Sequence, residues 1–148
     1  MTTRYVAVCI FIMSLAGCGR ISPERSAQVK ITTAAGRLLY VNRLARGVTY
    51  DVMWISVSDG MCRTPSVGKD VVLTGQAGYP LYYQLRPDGS LLLFLQGRVD
   101  VPNGFPIVVN QEDIHPMDWR GVEKRFASGE VQRISLDLPT SDECLIRW

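Results

Sequence analysis

The chain has 148 residues, with 16 Lys and Arg against 14 Asp and Glu for a net charge of +2. That length supports one domain with one core. The near-balance of charge gives no global drive toward nucleic acid or an anionic membrane surface.

The chain opens MTTRYVAVCIFIMSLAGCGR. Arg4 gives a short positive start, and Tyr5 to Leu15 is almost wholly apolar, the length of a signal-peptide core. It is too short to span a bilayer, which needs about 20 apolar residues. Small residues, Ala16 and Gly17, precede Cys18. Leu15-Ala16-Gly17-Cys18 resembles the lipobox of bacterial lipoprotein precursors. The resemblance covers only these opening residues. It implies diacylglycerol on the Cys18 sulfur, cleavage before Cys18, and an acyl chain on the new amino terminus. The alternative is an ordinary secretory signal with an incidental cysteine. Each buried methylene contributes about 0.8 kcal/mol, and one chain alone holds only reversibly. Two or three chains on one cysteine would make a stable anchor without a transmembrane helix. Inner-membrane retention resembles Cys followed by Asp; Gly19 departs from that and implies the outer membrane, facing the periplasm.

Residues 18–28, with Pro23 among polar neighbours, predict a lipidated tether, and 29–148 a single β-rich domain. Val29 to Thr33 alternates as a strand does. Arg37 to Arg43 and Thr49 to Val57 are further strand candidates, the second closed by the turn signal Asp59-Gly60. Val71 to Thr74 is a short strand. Leu81 to Arg86 and Leu91 to Gln96 flank Pro87-Asp88-Gly89-Ser90, which predicts a hairpin. Leu91 to Leu95 is apolar at five successive positions. Successive strand residues point to opposite faces, so this strand is expected to be covered on both sides or to form part of an interface.

Val99 to Val101 and Ile107 to Val109 flank the loop Pro102-Asn103-Gly104-Phe105-Pro106. Asp118 to Ser128 is the helix candidate, with Asp118 as N-cap, Trp119, Val122 and Phe126 near one face, and Gly129 as the C-terminal stop. Gln132 to Leu138 alternates again, and Cys144 to Trp148 suggests a terminal strand. Short strands separated by turn signals predict an all-β fold, a small β-sandwich or barrel, with one short helix near 118–128.

Cys9 leaves with the signal and Cys18 is acylated, so Cys62 and Cys144 remain. In an oxidising compartment they are expected to form a disulfide, contributing about 4.5 kcal/mol by chain entropy; two unpaired buried thiols are the alternative. Two cysteines and one histidine do not fill a structural zinc tetrahedron.

No residue set carries catalysis. His115, in QEDIHPMD, lies near Glu112, Asp113 and Asp118, but the spacing matches no metal signature and fits a polar loop leading into a helix. There is no G-x-S-x-G elbow, and Ser58, Ser66 and Ser90 sit in turns. Val67-Gly68-Lys69-Asp70 lacks the upstream glycine and the following Ser or Thr of a phosphate loop. No acidic pair stands out for glycoside hydrolysis. No catalytic residue, metal or cofactor is therefore expected. Surface aromatics are the remaining candidates. Tyr79, Tyr82 and Tyr83, with Asn103 and Phe105 on the proline-flanked loop, are expected to contact a protein partner, with core packing as the alternative.

In layout the chain looks like the lipoprotein immunity proteins that protect bacteria from secreted effectors. That resemblance rests on the lipobox, size and class; the mature domain carries no diagnostic motif. It implies a non-enzymatic periplasmic inhibitor of an effector toxin. The alternatives are a structural lipoprotein of a secretion or envelope machine, such as the small β-sandwich lipoprotein of type VI secretion, and a small envelope enzyme.

Overall fold

The computed structural model describes residues 24–47, 50–58, 63–75, 80–115 and 118–137. Among these residues nine strands form two sheets, with one helix. The strands are β1 (Glu24–Thr32), β2 (Leu38–Arg46), β3 (Tyr50–Ser56), β4 (Val71–Thr74), β5 (Leu81–Leu85), β6 (Leu91–Leu95), β7 (Arg98–Asp100), β8 (Val109–Asp113) and β9 (Gln132–Ile134); helix α1 (Trp119–Ala127) lies between the last two. One sheet has the order β1-β2-β3-β4-β7, the other β8-β6-β5-β9. All pairings are antiparallel except β6 with β8. This is the expected all-β sandwich with one short helix.

The alternation of each strand builds the core. Ile31, Leu39, Val41, Met53, Ile55, Val71 and Leu73 share the inner face of the first sheet, and Leu81, Tyr83, Leu91, Leu93, Leu95 and Ile134 that of the second. Their registers agree: Ile31 faces Leu39, Val41 faces Ile55, Ile55 faces Val71, and Tyr83 faces Leu93. The outer face of the second sheet carries Tyr82, Leu92 and Phe94, and α1 covers it with Val122, Trp119 and Phe126. The molecule thus has a third layer, and β6 lies in the middle of it. All five β6 side chains are buried, as the unbroken apolar run predicts. On the outer face of the first sheet, a polar chain runs across three strands. Gln28 Nε2 donates to Asn42 Oδ1 at 2.7 Å, and Asn42 Nδ2 donates to Ser56 Oγ at 3.2 Å.

Three expectations need correction. The tether was expected to run to residue 28, but β1 begins at Glu24. Its polar start pairs with β2 from Arg46 inward, and an edge strand tolerates polarity because one side of its backbone is unbonded by the sheet. The strand expected at Ile107 to Val109 lies instead at Val109–Asp113. Its parallel pairing with β6 uses backbone groups, so the polar sequence VNQED can supply it. Helix α1 sits where expected, but Asp118 at its N-cap position makes no side-chain capping bond. The C-terminal stop holds: Gly129 takes φ +77° and its N–H donates to Phe126 O at 3.0 Å. The strand expected at Cys144 to Trp148 lies outside the described residues.

The chain changes sheets between β6 and β7 through Gln96-Gly97. Gly97 has φ +133°, and a Cβ there would stand 2.0 Å from Thr74 O. No L side chain fits this crossing. Gly104, with φ +80°, has nothing within 4 Å of a Cβ. Gly97→Ala is therefore expected to cost more than about 3 kcal/mol, against about 1–2 kcal/mol for Gly104→Ala, where only the backbone is strained. Urea unfolding of the two variants checks this; equal losses would show that the crossing tolerates a side chain.

Candidate functional site

The structure separates the residues expected to form a contact surface. Tyr82 and Tyr83 are neighbours on β5 and point to opposite faces. Tyr82 is fully buried against α1, and Tyr83 is buried in the sandwich core. Neither offers surface to a partner, because the second sheet is covered on both sides. Phe105 is half-buried and packs against the sandwich core. Its loop crosses the end of the sandwich, and Arg37 Nη1 on the β1–β2 turn donates to Pro106 O at 3.0 Å. The tip, Asn103-Gly104, and Pro106 are exposed. Phe105 is thus a plug for the open end of the core rather than a protruding anchor. Tyr79, Cys18, Cys62 and Cys144 lie outside the described residues.

The polar stretch around His115 is spent on structure. Glu112 accepts from Arg125 Nη1 at 3.1 Å, Asp113 accepts from the Gln111 amide, and Asp118 N–H donates to His115 O at 2.8 Å. Among the described residues no three His, Cys, Asp or Glu side chains gather as metal ligands. Gln111 has a further role. Its Oε1 accepts from Val99 N–H at 2.9 Å and its Nε2 donates to Gly97 O at 2.6 Å. One side-chain amide thereby occupies a backbone N–H of β7, the short edge strand beside it, and the carbonyl just before that strand.

A clamp of charged and aromatic groups holds α1 to the sheet. The Tyr82 hydroxyl donates to Glu123 Oε1. Its ring meets Trp119 edge-on at 5.4 Å and Phe126 at 6.1 Å between centroids. Arg125 lies 4.4 Å above the Phe94 ring and pairs with Glu130 at 2.7 Å. The hydrogen bond that Arg125 donates to Glu130 raises the Arg125 pKa, so the cation persists at any accessible pH. Arg133 stacks 4.6 Å from Phe126. Burial foremost, and then the bond to Glu123, raise the Tyr82 pKa; burial raises that of Tyr83.

Exposed apolar surface lies elsewhere. A groove of about 630 Å³ opens beside β4 and β7, lined by Val67, Val72, Val101 and Pro102 together with Asp70 and Asp100. Val67 is 98% exposed. Its loop is rigidly held, since Arg63 binds the buried Asp70 carboxylate at 2.6 and 3.2 Å and Ser66 N–H donates to it at 2.7 Å. Sequence reasoning inspected Val67 to Asp70 only as a phosphate loop. The usable signal was a single valine set among Pro65, Ser66 and Gly68, where an apolar residue has no strand to bury it. Comparison of the chain with protein-family models, with curated proteins and with solved structures found no match.

Two outcomes follow from these placements. Phe105→Ala should lower stability by about 2 kcal/mol, less than the 3–5 kcal/mol of a fully buried ring; an unchanged denaturation midpoint would put the ring in solvent. Tyr82→Phe should cost about 1.5 kcal/mol at neutral pH, the lower range for a bond to a charged group, because Glu123 stays partly hydrated. A phenol with a raised folded pKa holds its proton more tightly folded than unfolded. Its contribution is complete below the unfolded value of about 10 and is lost as pH rises through the folded value. The wild type should therefore lose stability steeply above pH 10 and the variant less so. Identical slopes for the two proteins would contradict the role of Tyr82.

Proposed function

We propose that the chain is a lipid-anchored periplasmic lipoprotein of the outer membrane that acts by binding a protein, as an inhibitor that neutralises a secreted effector. Support for the anchor comes from the Leu15-Ala16-Gly17-Cys18 motif. Support for binding comes from one observation above the others: Val67 stands almost wholly in solvent on a loop that the Arg63–Asp70 pair holds rigid. An apolar side chain presented this way has no role in the core. A preorganised scaffold lowers the entropy lost on association, and such contacts exclude water when a partner closes over them. The disulfide between Cys62 and Cys144 belongs to the same proposal, as the staple of a small secreted domain.

The inhibitor reading predicts a protective phenotype that depends on the anchor. Cys18→Ala should abolish labelling by a fatty-acid analogue and block normal precursor processing. Cells lacking the chain should be killed by kin that secrete the cognate effector, and restoring the wild-type chain should rescue them. Continued labelling of the variant would sink the anchor. Undiminished survival of the deletion strain against every kin strain tested, or turnover of lipid or peptidoglycan by the purified domain, would sink the inhibitor reading.

A further inference from the structure

Six large hydrophobic side chains stand exposed among the described residues: Leu38, Tyr50, Val57, Val67, Val101 and Val108. Strand registers place five of them at one end of the sandwich. Leu38 pairs with Thr32 at the β1–β2 turn. Val57 lies one residue past Ser56, which faces Tyr40 in the last β2–β3 pair. Val67 belongs to the loop that enters β4 at Val71 beside Ile55. Val101 follows Asp100, which pairs with Val72. Val108 precedes Val109, which pairs with Leu91. Tyr50 alone sits at the opposite end, where it pairs with Arg46, as does Glu24 at the start of β1.

β1 begins at Glu24, so the five exposed residues lie a full strand length from its first residue. Nine residues of β1 span about 30 Å. Charge at this end is net positive among the described residues. Asp70 is paired with Arg63 and Asp100 with Arg98, and the Asp88 carboxylate, which accepts from Ser90 N–H at 2.9 Å and is kept ionised by that bonding, lies near Arg86. Lys69 and Arg37 are exposed, with no carboxylate paired to them among the described residues. An apolar centre bordered by unneutralised cations is complementary to an apolar surface bordered by carboxylates.

We propose that this turn end is the docking surface, and that its occupant is a folded protein presenting an apolar patch rimmed by Asp and Glu. The proposal rests on the binding reading above and adds where the partner sits and what its surface carries. Membrane lipid is the other occupant, and the crosslinks below distinguish it from a protein. A second copy meeting end to end would bring the same net positive charge to the contact.

The test uses the full lipidated chain in the envelope of cells mixed with a kin strain. A photo-crosslinking residue replaces Val67, Val101 or Tyr50. Val67 and Val101 should both link to one protein, at a site bordered by carboxylates, and Tyr50 should not. That protein, purified, should bind the Val67→Glu, Lys69→Glu double variant at least about tenfold more weakly than the wild type, with the variant's melting temperature unchanged. Linkage from Tyr50 alone would overturn the docking end while leaving the binding reading intact. Linkage to lipid or to a second copy of the chain, or an affinity indifferent to the charge reversal, would overturn the acidic-partner assignment. No protein linked from any of the three positions would overturn the binding reading itself.

Discussion

Everything in this molecule is arranged around β6. Its five residues, LLLFL, are buried on both faces, and each fully buried large apolar side chain contributes about 1.5–3 kcal/mol. One face builds the sandwich with the first sheet. The other obliges the chain to supply a cover, and α1 is that cover. A nine-residue helix with no acidic residue in its first turn and no side-chain cap would be marginal alone. It persists because Phe94, Leu92 and Tyr82 give Val122 and Phe126 something to bury against.

Placing an apolar strand at the centre creates a second demand, on edges. Because β6 pairs in parallel with β8, the chain must leave its end and return to its start. It does so by visiting the first sheet as β7 and crossing the open end of the sandwich as the Phe105 loop. The crossing demands Gly97, since Thr74 O occupies the space of a side chain. The visit leaves β7 as a three-residue edge, and Gln111, reaching from β8 across the gap between sheets, covers it. At the opposite side of the sandwich Arg43 Nη1 donates to Leu136 O at 2.9 Å, tying the first sheet to the segment after β9. Each of these polar contacts is modest by itself. Together they close the sides of a core whose faces are already covered.

The parts of this plan that were legible in the sequence are those set by local chemistry. Pro87-Asp88-Gly89-Ser90 announces its turn, and Asp88 Oδ1 does bond Ser90 N–H. The unbroken LLLFL run announces double burial, because alternation vanishes only when both faces are dry. Gly129 announces the end of α1. What was not legible depends on partners distant in sequence. Residues 24–28 read as a polar tether and 111–113 as part of a polar loop, yet backbone pairing with β2 and β6 makes them strands. Tyr82, Tyr83 and Phe105 have the composition of a contact surface, and only the covering layers show that they are core. Val67 looks unremarkable in the chain, since its exposure follows from a carboxylate cage built by Arg63 and Asp70.

The same closure that hides the aromatics decides where function can reside. The second sheet's outer face is given to α1, the β7 edge to Gln111, and the carboxylates of Glu112 and Asp113 to Arg125 and Gln111. The two loop ends of the sandwich are not equivalent. One is beside Glu24, where β1 begins. The other carries five exposed apolar side chains on turns that are pinned by Arg37 to Pro106 and by Arg63 to Asp70. Pinning matters because a loop already held in its bound shape loses less entropy on association. Valine and leucine offer less contact area than aromatics, so a surface of this kind works by excluding water over many side chains rather than through one dominant residue. Charge then supplies orientation, and Lys69 and Arg37 are the groups placed to provide it.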